Sequence, residues 1–569
     1  MKKETVFKSA IILGFLALFV RYFSVQVQHG AEYDQMALRN HFRYIAIPAP
    51  RGTIWSAEGS TLASNHSSMD LVVYKEEMKS PAKLKTRLMQ VLSYRKDEIL
   101  QHWHQMASAP SYIPYPILSD LEESEVPIIE MEKVNFPELS IVKPMRRMYP
   151  FADLFSHALG YVAESSPEDL RLEPDLQAGD WIGKTGLERS YERHLKGQSG
   201  RWAVVVDSQE REAARYLVQR ASDGAPLQTT LRIALQQKAR ELFGEDTGAA
   251  VVMDIATGDV LCYYSAPTYP TQPPTSSALL KERWRQVLTD PRRPLMDRLA
   301  QGTYSPGSVF KAILTIAALE ENVWSPQRTL VCTGGFKFGD KVFRCWNRTG
   351  HGAVDLRRAI AVSCDCYFYQ LGLFLGLERI SRWAKAFGLD HRTGVDLPFE
   401  KTGLVPSEEW SLKVRGTPWY PGETVSLAIG QGPLLLTPLK ACQVYAGIAA
   451  GGRMPVPRLT HESPPASVSV PLSPETVLFL REALGDVVAS PFGTAHKIEG
   501  EPTIAGKTGT SQLTAEVAGQ SHPKEHAWFV GFAPRDNPRV AAAVLVEHGG
   551  HGSEAAAPIA AALLREALK

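Results

Sequence analysis

Tyr304-Ser305-Pro306-Gly307-Ser308-Val309-Phe310-Lys311-Ala312-Ile313-Leu314-Thr315-Ile316-Ala317-Ala318-Leu319 passes from a turn into a run with almost no polar face. Pro306 and Gly307 punctuate a helix start, and a helix that is apolar all round is buried, so the stretch predicts a core helix with Ser308 at its N-terminal end. Lys311 follows Ser308 by three positions, which places both side chains on one helix face. A serine hydroxyl is a weak nucleophile until a base takes its proton. Lysine serves as that base only where burial or a second cation lowers its pKa. The spacing alone means little, because Ser80, Ser93, Ser140 and Ser521 also stand three before a lysine.

Working outward, an amphipathic stretch (233–243) precedes two apolar strands, 249–255 and 260–264, joined by the hairpin turn Ala256-Thr257-Gly258-Asp259. Beyond the core helix come helical stretches at 356–375, 437–450 and 474–488, strands at 504–510, 527–532 and 540–547, and a last helix after Pro558. Two strands, then helices, then strands and a terminal helix predict an α/β (α+β) domain over 226–569, its antiparallel sheet flanked by helices. Residues 28–225 are mixed and polar, with a strand-like run Leu71-Val72-Val73-Tyr74 and helical periodicity from 82 to 104, and form a separate N-terminal domain.

The 569 residues carry 62 Lys and Arg against 61 Asp and Glu, a balance that gives no electrostatic footprint for nucleic acid. Lys2, Lys3 and Lys8 flank a mostly apolar stretch, 9–27, interrupted only by Arg21. That is near bilayer-spanning length with positive charge on the cytoplasmic side, and no small-residue cleavage site follows it. It reads as an uncleaved single-pass anchor, with 1–8 cytoplasmic and everything after residue 28 extracytoplasmic.

Ser308 and Lys311 have two companions further along. Ser363-Cys364-Asp365 comes next, and Lys507-Thr508-Gly509-Thr510 follows it. Ser-x-x-Lys, a Ser-Asp-Asn-type element and Lys-Thr-Gly, in that order, mark penicillin-binding proteins and class A β-lactamases. A second Lys184-Thr185-Gly186 lies upstream of both other motifs, so it is read as structural. The flanking segments Pro294-Leu295-Met296-Asp297-Arg298, Ile429-Gly430-Gln431-Gly432 and Ala527-Trp528-Phe529-Val530-Gly531 resemble class B penicillin-binding proteins. So do Arg51-Gly52-Thr53-Ile54, Tyr149-Pro150 and Gly183 to Glu188, so the resemblance covers both domains. Asp365, where many members carry asparagine, is more similar to penicillin-binding protein 2, the elongation enzyme, than to the division enzyme.

The resemblance implies a pedestal of dimerisation type over 28–225 and a peptidoglycan D,D-transpeptidase that takes no cofactor for catalysis. Ser308 would attack the carbonyl between the terminal D-alanines of a stem peptide, Lys311 would take its proton, and Ser363 would relay a proton to the leaving amine. Lys507, Thr508 and Thr510, with Gly509 between them, would hold the substrate carboxylate, and the N–H groups of Ser308 and Thr510 would form the oxyanion hole. β-Lactams would acylate the same serine. The implied setting is the inner membrane with a periplasmic catalytic domain, alongside a RodA-type glycosyltransferase and other elongation-complex proteins. The chain departs from the family at Ser56-Ala57, where Asp-Arg is usual, and at Asp365, an acceptor where asparagine both donates and accepts. The rivals are a D,D-carboxypeptidase or β-lactamase, for which Glu408, Glu409 and Glu423 are the available glutamates, and a β-lactam receptor that makes no cross-link.

Cys332, Cys345, His351 and Cys364 fall close together in a turn-rich segment. Three thiolates and an imidazole are a common closed zinc set, while a Cys332–Cys345 disulfide is the alternative that an extracytoplasmic setting permits. The spacing resembles the structural zinc site of some penicillin-binding protein 2 members. Cys262, Cys366 and Cys442 lie in apolar runs and read as core residues. His526, His548 and His551 read as a polar turn near the site mouth.

Overall fold

The computed structural model describes residues 2–29, 42–107, 114–151, 153–173, 176, 179–206, 212–272, 278–511 and 525–569. Helix α1 (Lys2–Phe23) continues through a π-turn over Ser24–Gln28. Its large apolar side chains, among them Ile12, Phe15, Leu16 and Phe19, are exposed, and Phe7–Gln28 is long and apolar enough to cross a membrane.

The N-terminal domain is built of small sheets. Ile54–Trp55, Thr61–Ser67, Met145–Met148 and Leu227–Gln228 form a four-stranded one. Asp70–Val73 sits between Tyr115–Leu118 and Leu139–Val142, over a separate core of Leu71, Leu84, Leu88, Ile99 and Ile129. The predicted 82–104 helix is two helices, Pro81–Val91 and Lys96–Met106. They part because Leu92 turns into the core while Arg95 is tied to Glu98 and to the buried Glu125. Near the junction with the second domain, Glu188, fully buried, accepts from Arg51 and from Arg147 at 2.7 Å. Burial alone would raise the Glu188 pKa, but the two guanidiniums hold it below the usual carboxylate value. The departure at Ser56-Ala57 has a local explanation: the Ser56 hydroxyl, fully buried, accepts the N–H groups of Glu58 and Ser60, each at 3.2 Å, and so closes this turn.

In the C-terminal domain, α2 (Ile233–Phe243) leads into strands β1 (Gly248–Asp254) and β2 (Val260–Ala266). The helices that follow are α3 (Lys311–Glu320), α4 (Leu356–Ala361), α5 (Asp365–Ala386), α6 (Pro438–Ala449) and α7 (Pro474–Ala489). Strands β3 (Ala505–Ser511), β4 (His526–Ala533) and β5 (Val540–Val546) then complete one antiparallel sheet in the order β2-β1-β5-β4-β3. The central β5 reads Val-Ala-Ala-Ala-Val-Leu-Val with every residue buried, because α6 covers one face of the sheet and α2 with α8 (Ala556–Ala567) the other. Small alanines let these helices approach closely. Helix α8 begins before Pro558, which is tolerated in a first turn whose N–H groups have no intrahelical partner. The two domains share one core, in which Ile54, Leu154, Phe155 and Leu187 pack with Leu235, Phe243 and Tyr263.

Two local differences from the sequence reading shape the site. Ser308 lies in a 3₁₀ turn, Gly307–Phe310, and the α-helix begins at Lys311. The predicted 356–375 helix breaks between α4 and α5, where Ser363 adopts φ +53°, a left-handed conformation that is strained for a residue with a Cβ.

Candidate active site and a cysteine–histidine cluster

Strand β3 is an edge of the sheet, and its unpaired side faces the Gly307–Phe310 turn. Close approach there requires glycine. Gly307 has φ +54°, and a Cβ on it would stand 2.6 Å from Thr510 O. Behind the turn, Gly307 N–H donates to Gly430 O at 3.1 Å, and the Gln431 side chain donates to Thr510 O at 3.3 Å. The Ile429-Gly430-Gln431-Gly432 segment thus clamps the Ser308 turn to the strand that carries Lys507, Thr508 and Thr510.

Lys311 is fully buried at the start of α3 and reaches the break between α4 and α5. Its Nζ donates to Asp365 Oδ1 at 2.7 Å and to Ser363 O at 2.9 Å, and it lies 3.2 Å from Ser363 Oγ. The Phe368 ring lies 5.2 Å from the same nitrogen. The left-handed turn at Ser363 is what lets one residue present both its carbonyl and its hydroxyl to the lysine. Asp365 Oδ2 accepts the Trp346 N–H at 2.9 Å, so each of its oxygens accepts one bond and no donor is required of it. Lys507 is also fully buried, and its Nζ donates to Thr508 O at 3.1 Å. Burial, then repulsion by Lys311, pushes the Lys507 pKa well below the ordinary lysine value, against the opposing pull of Asp365.

The structure therefore gathers Lys311, Ser363, Asp365 and Lys507, with Ser308 in the turn packed on Thr510, three residues before Lys311. The other serines that precede a lysine do not share this setting. Ser80 precedes the helix Pro81–Val91 with no side-chain capping bond, Ser93 opens a 3₁₀ turn and Ser140 lies in a strand; Ser521 is outside the described residues. Of the three glutamates a hydrolase would draw on, Glu423 is paired with Arg415, Glu408 accepts the Trp419 N–H at 3.3 Å and Glu409 is exposed.

Two site neighbours carry no sequence signal. Thr494 Oγ1 lies 2.7 Å from Thr508 Oγ1, and Trp346, 57% exposed, is pinned by its backbone N–H on Asp365 and its indole N–H on Val362 O at 3.0 Å. Both contacts are tertiary, so no spacing rule finds them. His526 stacks edge-on against Tyr304 at 5.4 Å and accepts the His548 N–H at 3.1 Å. Burial and the adjacent His548 lower its pKa to about 4.

Beside the second motif, ligand atoms of Cys332, Cys345, His351 and Cys364 all lie within 4.8 Å of one another. His351 Nδ1 is 3.6 Å from both the Cys332 and the Cys345 sulfurs. A tetrahedral zinc with bonds of about 2.3 Å to sulfur and 2.0–2.1 Å to nitrogen separates those ligands by about 3.6 Å. The donor set and spacing fit that ion. All six cysteines are free thiols, so the Cys332–Cys345 disulfide is not formed. Cys262, Cys366 and Cys442 are buried core residues, as expected.

The family model for the penicillin-binding protein transpeptidase domain matches residues 248–565, and that for the penicillin-binding protein dimerisation domain matches residues 46–229. The chain belongs to the penicillin-binding protein transpeptidase family. Within it the chain resembles penicillin-binding protein 2. It is 32% identical to the peptidoglycan D,D-transpeptidase MrdA of Acinetobacter baumannii, over 96% of this chain and 84% of that relative. The penicillin-binding protein 2 of Helicobacter pylori, solved in complex with MreC, superposes with a TM-score of 0.81 at 28% identity, covering 93% of this chain and 99% of the other. A structure described as a peptidoglycan synthase complex that coordinates polymerization and crosslinking matches at a TM-score of 0.72 and 29% identity, covering 99% and 97%.

Proposed function

We propose that this chain is a membrane-anchored peptidoglycan D,D-transpeptidase whose nucleophile is Ser308. The observation that carries the reading is the meeting of three sequence-distant motifs at one buried lysine: Lys311 bonds Ser363 and Asp365 and lies close enough to Lys507 to depress its pKa. Two of the Lys311 acceptors, Ser363 O and Asp365 Oδ1, each take an N–H from Nζ. The remaining position on Nζ can donate to a hydroxyl or accept from one. It is the position through which a proton passes from Ser308 Oγ to Lys311 and on to Ser363 Oγ.

As Ser308 Oγ bonds to the carbonyl carbon of the penultimate D-alanine, the N–H groups of Ser308 and Thr510 take the developing oxyanion. The C–N bond then breaks, the amine of the terminal D-alanine leaves with the proton relayed by Ser363, and an acyl ester on Ser308 remains. An acceptor amine displaces the ester, returning the proton to Ser308 Oγ. Lys507 supports this by its site: a buried lysine with a depressed pKa regains its charge when a substrate carboxylate arrives. A β-lactam carbonyl would enter the same path. Intact-mass analysis after penicillin treatment tests the reading: the wild-type chain gains one adduct and Ser308→Ala gains none. Equal adducts on both refute it.

Cell elongation is the proposed role, with peptidoglycan stem peptides as substrate and a RodA-type glycosyltransferase as polymerising partner. It is supported by the MrdA relative and by neighbours solved with MreC and as a synthase complex. The anchor would hold the chain in the inner membrane with its catalytic domain in the periplasm. Cys332, Cys345, His351 and Cys364 would hold a structural zinc, whose chemistry is to fix ligands rather than to react. Through Cys364 it would pin the break between α4 and α5 on which Ser363 and Asp365 stand. The full chain purified without chelators is expected to carry about one zinc, and a content near zero would sink this assignment.

A further inference from the structure

Thr494 sits outside all three motifs, between α7 and β3, yet it links the approach to the second with the third. Its own N–H donates to Ala361 O at 3.1 Å, at the end of α4 and two residues before Ser363. Its hydroxyl meets the Thr508 hydroxyl at 2.7 Å, on strand β3. The residues on either side are fixed to α7: Gly493 N–H donates to Ser490 O at 2.8 Å, and Ala495 N–H to Val487 O at 2.9 Å. A Cβ at position 493 would stand 2.4 Å from Val487 O, so the segment is packed too tightly to drift. The Thr494 side chain is therefore held against Thr508 from a rigid base.

Two hydroxyls in contact share one hydrogen bond and leave one proton over. Among the described residues each has the other as its side-chain partner. If Thr508 donates to Thr494, its proton is spent within the pair and it offers an incoming anion only lone pairs. If Thr494 donates to Thr508, the Thr508 proton is free for an anion beside Lys507. An arriving carboxylate favours the second arrangement, and the first bond polarises the second. We propose that Thr494 is a positioning residue for substrate: it donates to Thr508 and thereby turns the Thr508 O–H toward the terminal carboxylate of the donor peptide. This deepens the transpeptidase reading and rests on it.

Removing an oriented hydrogen bond to a charged group corresponds to about a tenfold loss in affinity or more. The test uses the full-length protein and two probes, a benzoyl-D-alanyl thioester ending in a carboxylate and the same thioester ending in a carboxamide. Thr494→Val, which keeps the side-chain shape and deletes the hydroxyl, is expected to raise KM for the carboxylate probe about tenfold with kcat within about twofold, and to leave the carboxamide probe unchanged. Thr494→Ser should restore the wild-type KM. In a Thr508→Val background, Thr494→Val should add nothing, since its effect passes through Thr508. Equal losses on both probes, a loss in kcat alone, or failure of serine to rescue would overturn the proposal and leave Thr494 a packing residue. If neither probe acylates the wild-type chain while Ser308→Ala behaves identically, the transpeptidase reading itself fails, and this proposal with it.

Discussion

Lys184-Thr185-Gly186 and Lys507-Thr508-Gly509 are the same tripeptide in two settings. The first is a turn between strand Trp181–Gly183 and the short helix Gly186–Ser190. Its lysine is spent on Asp169 near the surface, and its glycine has φ +59°, with Gly160 N only 2.4 Å from where a Cβ would be. Two residues on, Glu188 closes a buried knot with Arg51 and Arg147. The second tripeptide is straight strand, its lysine fully buried and near both Lys311 and Asp365. A lysine with a matched acid stabilises a fold; a buried lysine facing another lysine is set up to receive an anion. The tripeptide does not carry the chemistry, and its surroundings do.

The largest effect expected from this contrast is kinetic. Lys507→Ala should slow acylation by penicillin about 10²–10³-fold, the loss typical of a missing transition-state or carboxylate donor. Lys184→Ala should leave the acylation rate within about twofold and cost less than about 1 kcal/mol of stability, because a pair near the surface contributes little. Stopped-flow acylation and denaturant melts of both variants measure the two outcomes. A comparable slowing by Lys184→Ala would collapse the distinction and make the pedestal part of the active site.

Much of this arrangement is legible in the amino-acid sequence. Apolar periodicity located the sheet, because strands covered on both faces, such as β5, are continuous apolar runs, and the buried helix after Ser308 announced itself by lacking a polar face. Motif order singled out Ser308, Ser363 and Lys507. Periodicity failed where one residue redirects the chain. It ran through the break at Ser363, because a left-handed φ in a serine is imposed by its bonds to Lys311 and leaves no trace in composition. Thr494 was invisible for the same reason, its partner being fourteen residues along the chain and on another element.

The contrast between the domains does not mean that they are independent, and a smaller effect should show the seam. His157, in the N-terminal-domain helix Ser156–Leu159, is buried, donates from Nε2 to Pro294 O at 2.8 Å and meets Tyr269 edge-on at 5.0 Å, both in the C-terminal domain. Burial and the nearby Arg298 charge lower its pKa to about 4, the Pro294 bond opposing them, whereas an unfolded chain protonates it near 6.5. Between those values the unfolded state binds the extra proton, so stability present above pH 6.5 is lost as pH falls toward 4, by up to about 3 kcal/mol. Asp297, three residues beyond Pro294, runs the other way. Burial raises its carboxyl from 3.8 to about 6, so the folded state holds its proton longer and gains stability as pH falls through that window. In the wild type the two slopes partly cancel. His157→Gln keeps a donor for Pro294 O and removes only the first slope. The variant is expected to start about 1 kcal/mol below wild type at pH 7.5 and to close or reverse that gap by pH 4.5. Melts of the full chain across that range measure it, and parallel profiles for the two proteins would show that His157 does not stay neutral at this interface.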